Sequence, residues 1–129
     1  MDSILKMRVT RALVSIALTL LVTPAFADDA AHGKELFQTK CNLCHTDNQG
    51  AGNRLGPNLF GVVGRHSASE AGFNYSPAMK AANKVWDAPT LADYLANPQK
   101  VVPGTRMTFA GFSNPADAKD VIAFLSSQK

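Results

Sequence analysis

Both cysteines of the chain stand in one run, Cys41-Asn42-Leu43-Cys44-His45, three positions apart with a histidine directly after the second. Two thiols at that spacing on one helical turn point the same way, and the next side chain brings an imidazole beside them. The pair can add to two vinyl groups along one side of a porphyrin while the imidazole nitrogen binds its iron; C-x-x-C-H is the attachment pattern of a c-type haem. Three other chemistries use parts of the same pattern. A dithiol redox site wants a βαβ setting and a helix N-terminus to lower a thiol pKa, whereas the residues before Cys41 read as the end of a helix. Zinc wants a tetrahedron, and Cys41, Cys44 and His45 have no obvious fourth ligand nearby. A disulfide across three positions would close a tiny loop and constrain little. Covalent attachment of one haem c, with iron as its metal, is the reading the motif favours.

The N-terminal stretch is of a different kind. Lys6, Arg8 and Arg11 precede a largely apolar run from Ala12 to Val22, and Ala25-Phe26-Ala27 follows as a small-x-small pattern. This predicts a secretory signal peptide over residues 1–27, cleaved after Ala27, with a single mature domain occupying 28–129. The apolar run has eleven residues, and a membrane-spanning helix needs about 20, so stable membrane insertion after cleavage is not expected. Export predicts a periplasmic location and explains the cysteine usage, since thioether bonds would keep both thiols out of disulfide exchange.

Charge excludes one class of partner. The chain carries thirteen basic and ten acidic residues; three of the former and one of the latter lie in 1–27, which leaves a net charge of +1 for residues 28–129. Two haem propionates would turn that slightly negative. No basic stripe or aromatic platform accompanies so small a charge, so no nucleic-acid partner is expected.

Four helices are legible in the rest. Asp28 and Asp29 suit the start of a helix in which Gly33, Leu36, Phe37 and Lys40 step toward Cys41. Gly33 costs a helix interior about 1 kcal/mol, so a close approach by another helix, on the Phe124 side of the last segment, is expected there. His32 and His66 read as surface residues. Residues 46–55 form a polar, glycine-bearing loop. Ser76-Pro77 is an N-cap followed by proline at the first helical position, and predicts a short helix to about Asn83. Asp87 caps a helix with Leu91, Tyr94 and Leu95 on its apolar face, which Pro98 ends. Asn114-Pro115 opens the last helix, with Val121, Ile122, Phe124 and Leu125 facing inward.

The order of the attachment motif, Gly56-Pro57-Asn58-Leu59-Phe60-Gly61-Val62-Val63-Gly64-Arg65, Tyr75, Trp86, Asn97-Pro98 and Pro103-Gly104-Thr105-Arg106-Met107 resembles class I cytochromes c. The likeness extends over the whole of residues 28–129 and is nearest the bacterial periplasmic and mitochondrial branch. It implies an all-α fold of about four to five helices with loops wrapped around one covalently bound haem. It further implies that the Pro57 carbonyl accepts a hydrogen bond from His45, that Arg65, Tyr75 and Trp86 donate toward the haem propionates, that Tyr94 bonds to the sulfur on iron, and that Thr105 lines the cofactor. Met79 stands where mitochondrial relatives commonly carry an asparagine that holds a water.

Methionine counting picks the second axial ligand. Met1 and Met7 leave with the signal, so Met79 and Met107 remain. Met79 is on a short helix, whereas Met107 lies in an extended loop free to cross the haem face opposite His45, and it is the predicted sixth ligand. Iron saturated by His45 and Met107 has no open position and keeps its ligands in both oxidation states. The expected function is a soluble, monomeric one-electron shuttle of the respiratory chain or another periplasmic redox system, not an enzyme. The alternative, a peroxidase-like haem enzyme or gas sensor, needs a labile sixth ligand. Electron-donor and electron-acceptor proteins are expected to dock transiently near Lys40, Lys100 and Arg106. The family's alkaline displacement of methionine by lysine points to Lys100 here, because the guanidinium of Arg106 does not deprotonate.

Overall fold

The computed structural model describes residues 28–129; the expected leader, 1–27, lies outside the described residues. Five helices follow in order: α1 (Ala30–Lys40), α2 (Pro77–Ala81), α3 (Ala88–Ala96), α4 (Pro98–Val101) and α5 (Pro115–Ser127). Extended pairing among the described residues is confined to one isolated antiparallel bridge between His66 and Val85. The all-α expectation holds, with long loops between the helices.

Each helix starts where a short polar side chain can take the first free amides. Asp29 accepts from the amides of Ala31 and His32, Ser76 from Met79, Asp87 from Thr90, Asn97 from Lys100 and Asn114 from Ala116. Proline occupies the first turn of the last four helices, where no amide partner is needed and its φ is already helical. The ends of α1 and α3 agree with the sequence reading, while α2 is shorter and one helix is added. Helix α1 stops at Lys40, so Cys41–Cys44 form a turn beyond it, held by amides of Cys44 and His45 that both donate to the Cys41 carbonyl at 2.9 Å. Helix α2 ends at Ala81, two residues early, and Asn83 lies in the left-handed region at φ 46°. Pro98 does end α3, but with Asn97 as cap it also opens α4, a helix the sequence reading passed over.

The main packing is α1 across α5, with α3 against α5 and α4. Phe37 and Phe124 meet with ring centroids 5.4 Å apart, among the buried Leu91, Leu95, Val121, Ile122 and Leu125. The close approach expected at Gly33 is present, but one turn earlier on α5 than Phe124. A β-carbon at Gly33 would lie 1.9 Å from the Asp120 carbonyl oxygen and 2.9 Å from the Val121 amide nitrogen, both backbone atoms. Glycine is required because the two helix backbones touch there.

The same crossing is fastened at its polar edge. The Asp29 amide donates to one carboxylate oxygen of Asp120 at 2.7 Å, and Nδ1 of His32 lies 2.8 Å from the other. The hydrogen bond to Asp120 raises the His32 pKa above 6.5, assisted by the charges of Asp117 and Asp29, and His32 in turn lowers Asp120 below 3.8. Because the His32 pKa is raised on folding, its stabilisation is complete below pH 6.5 and disappears as pH rises through the folded value. Because that of Asp120 is lowered, its share is present above pH 3.8 and disappears as pH falls through the folded value. Urea unfolding of the holoprotein should therefore show stability falling as pH rises above 6.5, and His32→Ala should flatten that limb.

Candidate haem site

Residues 41–57 build one side of the site. Helix α1 delivers Cys41 to its C-terminal cap, and the turn after it sets Cys44 and His45 in place. The loop then doubles back, and the Gly56 amide donates to the Cys44 carbonyl at 2.8 Å. This places Pro57 beside the imidazole, whose Nδ1 donates to the Pro57 carbonyl at 2.8 Å. The tautomer follows from that bond: Nδ1 carries the proton and Nε2 keeps its lone pair. Burial lowers the His45 pKa, which opposes charging and keeps the ring neutral. Gly56 lies directly on the ring; a β-carbon there would sit 2.3 Å from Cε1 and 2.6 Å from Nδ1.

Cys41 and Cys44 are not joined to each other in a disulfide. Burial, with a smaller contribution from Cys44, pushes the Cys41 thiol up to about 11.

A second group of residues surrounds Met107. The Tyr94 hydroxyl lies 3.1 Å from Thr105 Oγ1, which also accepts the Met107 amide at 3.3 Å. Tyr94 and Thr105 are buried, Met107 is half-buried against the core, and Trp86 meets Tyr94 with ring centroids 4.9 Å apart. Burial also raises the Tyr94 pKa, so the hydroxyl keeps its proton. The resemblance gives that hydroxyl the methionine sulfur as partner, whereas here its partner is Thr105. Met79 lies in the core and contributes to α2.

A third cluster forms around Arg65. Its guanidinium donates to Glu70 at 2.6 Å, to the Phe60 carbonyl at 3.1 Å and to the Asn58 carbonyl at 2.9 Å. The Tyr75 hydroxyl accepts from the Glu70 amide at 3.2 Å. Two backbone bonds, the Trp86 amide donating to the Arg65 carbonyl at 2.9 Å and the Gly64 amide to the Trp86 carbonyl at 2.8 Å, hold this cluster against Trp86. The Trp86 indole N–H has no acceptor among the described residues, yet it is not sealed from solvent-sized space.

Sequence reasoning missed three members. Glu70 is a protein carboxylate on the very guanidinium expected to serve the propionates, and nothing in its spacing marks it. Asn58 is buried and braces the loop, donating to the Asn48 and Ala51 carbonyls and accepting from the Phe60 amide. A lone amide within an apolar, glycine-rich run was the available signal for it. Gly56 was noticed as a turn residue but not as the surface on which His45 rests.

The donor set fits an iron porphyrin attached through sulfur: two thiols three positions apart, a neutral imidazole with Nε2 free and a thioether on a braced loop. With five helices and no strand among the described residues, that set defines a small all-α protein that binds a c-type haem. The profile of the family described as Cytochrome c matches residues 30–129. Cytochrome c of Ulva intestinalis is 50% identical over 97 residues, covering 75% of this chain and 87% of its own. Cytochrome c of Stellaria longipes is 48% identical over 97 residues, covering 75% and 90%. Cytochrome c2 of Rhodopila globiformis is 48% identical over 101 residues, covering 78% and 94%. The chain belongs to the cytochrome c family; it carries a covalently attached haem c and transfers electrons with transient protein partners.

Proposed function

We propose that His45 and Met107 would both bind the haem iron, so that the chain exchanges single electrons with partner proteins and performs no chemistry on a substrate. When bound, the haem would supply a reversible one-electron couple, and ligation by a thioether together with an imidazole would favour its reduced form. The supporting observation is the seat of His45, with Nδ1 on the Pro57 carbonyl and the ring against Gly56, which leaves Nε2 as the free ligand atom. Such a hydrogen bond on the far nitrogen fixes ring orientation and raises ligand basicity. Cys41 and Cys44 hold the cofactor; Arg65, Tyr75, Trp86, Tyr94 and Thr105 line it. The Thr105 hydroxyl, shared by Tyr94 and the Met107 amide, braces the loop that presents the sulfur. The ferrous holoprotein should fail to bind carbon monoxide at neutral pH; ready binding would show a vacant or labile position and return the chain to the enzyme or sensor class.

The leader pattern supports export, with the cytochrome domain, 28–129, working in the periplasm. Lys40, Lys100 and Arg106 are all exposed and suit steering of acidic partners. Changing the three to glutamine should slow association about tenfold at low salt and flatten its ionic-strength dependence. Stopped-flow rates that keep the wild-type salt slope would remove these cations from the encounter.

A further inference from the structure

The Glu70 carboxylate accepts from Nη1 of Arg65 at 2.6 Å, and both side chains are half-buried. The same nitrogen donates to the Phe60 carbonyl, while Nη2 donates to the Asn58 carbonyl at 2.9 Å. A guanidinium is a rigid planar fork, so fixing one nitrogen aims the others. The Asn58 carbonyl is one peptide unit beyond the Pro57 carbonyl on which Nδ1 of His45 rests. The peptide between Pro57 and Asn58 is planar, and its other end is held as well. The Asn58 amide donates to Oδ1 of Asn53 at 2.8 Å, and Nδ2 of Asn53 donates to the Ala71 carbonyl at 3.0 Å. Glu70 and Ala71 are consecutive, so one turn reaches Asn58 from both flanks. It grips the carbonyl through Arg65 and the amide through Asn53. The turn is anchored in its own right, by the Glu70 amide on the Tyr75 hydroxyl at 3.2 Å and the Ser69 hydroxyl on the His66 carbonyl at 2.6 Å.

We infer that Glu70 is a positioning residue for the iron-binding histidine: by fixing Arg65 it sets the tilt of the Pro57–Asn58 peptide, and with it the aim of the imidazole. This rests on the reading of His45 as an axial ligand. A planar peptide turns as one piece, so a rotation that carries the Asn58 amide off Asn53 also swings the Pro57 carbonyl away from Nδ1. Holding the next carbonyl from the far side resists that rotation. Charge makes the strut effective, because a hydrogen bond between ions is about twice as strong as a neutral one and half-buried groups are screened less than exposed ones. Without Glu70 the Arg65 head has nothing to oppose its charge, and a long side chain gains rotamer freedom by leaving. A looser bond at Nδ1 makes the imidazole a less basic ligand, which supports the oxidised iron less. Removing the negative charge of Glu70 acts in the same direction, so the potential alone does not separate position from charge. The proton on Nδ1 does.

The test uses the ferrous holoprotein with its histidines labelled for NMR, following hydrogen exchange of the His45 Nδ1 proton beside a redox titration. Glu70→Ala should speed that exchange about tenfold relative to the Val121 amide in the core of α5. It should also raise the ratio of reduced to oxidised protein at a fixed solution potential about threefold. Glu70→Gln keeps an acceptor of the same reach without the charge, and should restore part of the protection at Nδ1. Asn53→Ala should speed the exchange too, and the double variant Asn53→Ala/Glu70→Ala should exceed the product of the two single effects, since both hold one peptide. Exchange at His45 that stays at the wild-type rate while the potential rises would make Glu70 a charge acting through space and overturn the proposal. Exchange that rises only in step with Val121 would overturn it as well, since that pattern marks loss of global stability. Wild-type His45 ring protons without the large shift imposed by a porphyrin ring current would instead remove the ligand reading, whatever the variants do.

Discussion

Gly56→Ala should yield little stable holoprotein, and what forms should be less stable by about 3 kcal/mol in urea unfolding. The added methyl carbon would stand 2.3 Å from Cε1 of His45 and 2.8 Å from Nε2, distances at which one partner has to move. The loop cannot readily give way, because the Gly56 amide bonds to the Cys44 carbonyl and its own carbonyl accepts from Arg54 at 2.9 Å. The ring must then shift away from the Pro57 carbonyl, which loosens the tautomer and the aim of Nε2 together. Gly52→Ala is the control, since a β-carbon there meets nothing within 4 Å; it should change stability by less than about 1 kcal/mol. Equal behaviour of the two variants would mean that Gly56 is a turn residue and nothing more.

Met107→Ala should open the iron on that side. Its ferrous form should bind carbon monoxide, and its midpoint potential should fall by on the order of 100 mV or more, since axial ligands set haem potentials over a wide range. Met79→Leu is the paired variant. Met79 is buried in the core, and a volume-conserving exchange there should cost less than about 1.5 kcal/mol and leave carbon monoxide exclusion intact. The reverse pattern, with Met79→Leu admitting the gas and Met107→Ala excluding it, would exchange the two assignments. A null result at Met107 would remove the saturated centre on which the carrier mechanism depends.

The aromatic and polar residues behind Met107 show how far spacing reaches. Tyr94 was legible as a buried residue on an apolar helix face, and Thr105 as a neighbour of Met107 in a loop with two breakers. Neither observation fixes where a hydroxyl hydrogen bond goes. That depends on how α3 and the loop after α4 sit against each other, and the fold puts Tyr94 on Thr105 at 3.1 Å. Arg65 is a parallel case. Its charge and position were legible, but its pairing with Glu70 at 2.6 Å comes from a turn whose geometry no local periodicity encodes.

By itself the sequence determined everything carried by covalent spacing and local backbone preference. That includes the one C-x-x-C-H run, the caps at Asp29, Ser76, Asp87 and Asn114, the prolines that start helices, and the apolar face of α5. These are short-range signals, set by residues within one turn of each other. The tertiary structure alone decided the contacts between segments distant in sequence: the Gly33 backbone against Asp120, His32 on Asp120, Gly56 under His45, and Arg54 on the Asn42 carbonyl. A glycine pressed on a ring and a glycine in an open turn are the same letter, and only the packing of the chain around them makes the difference.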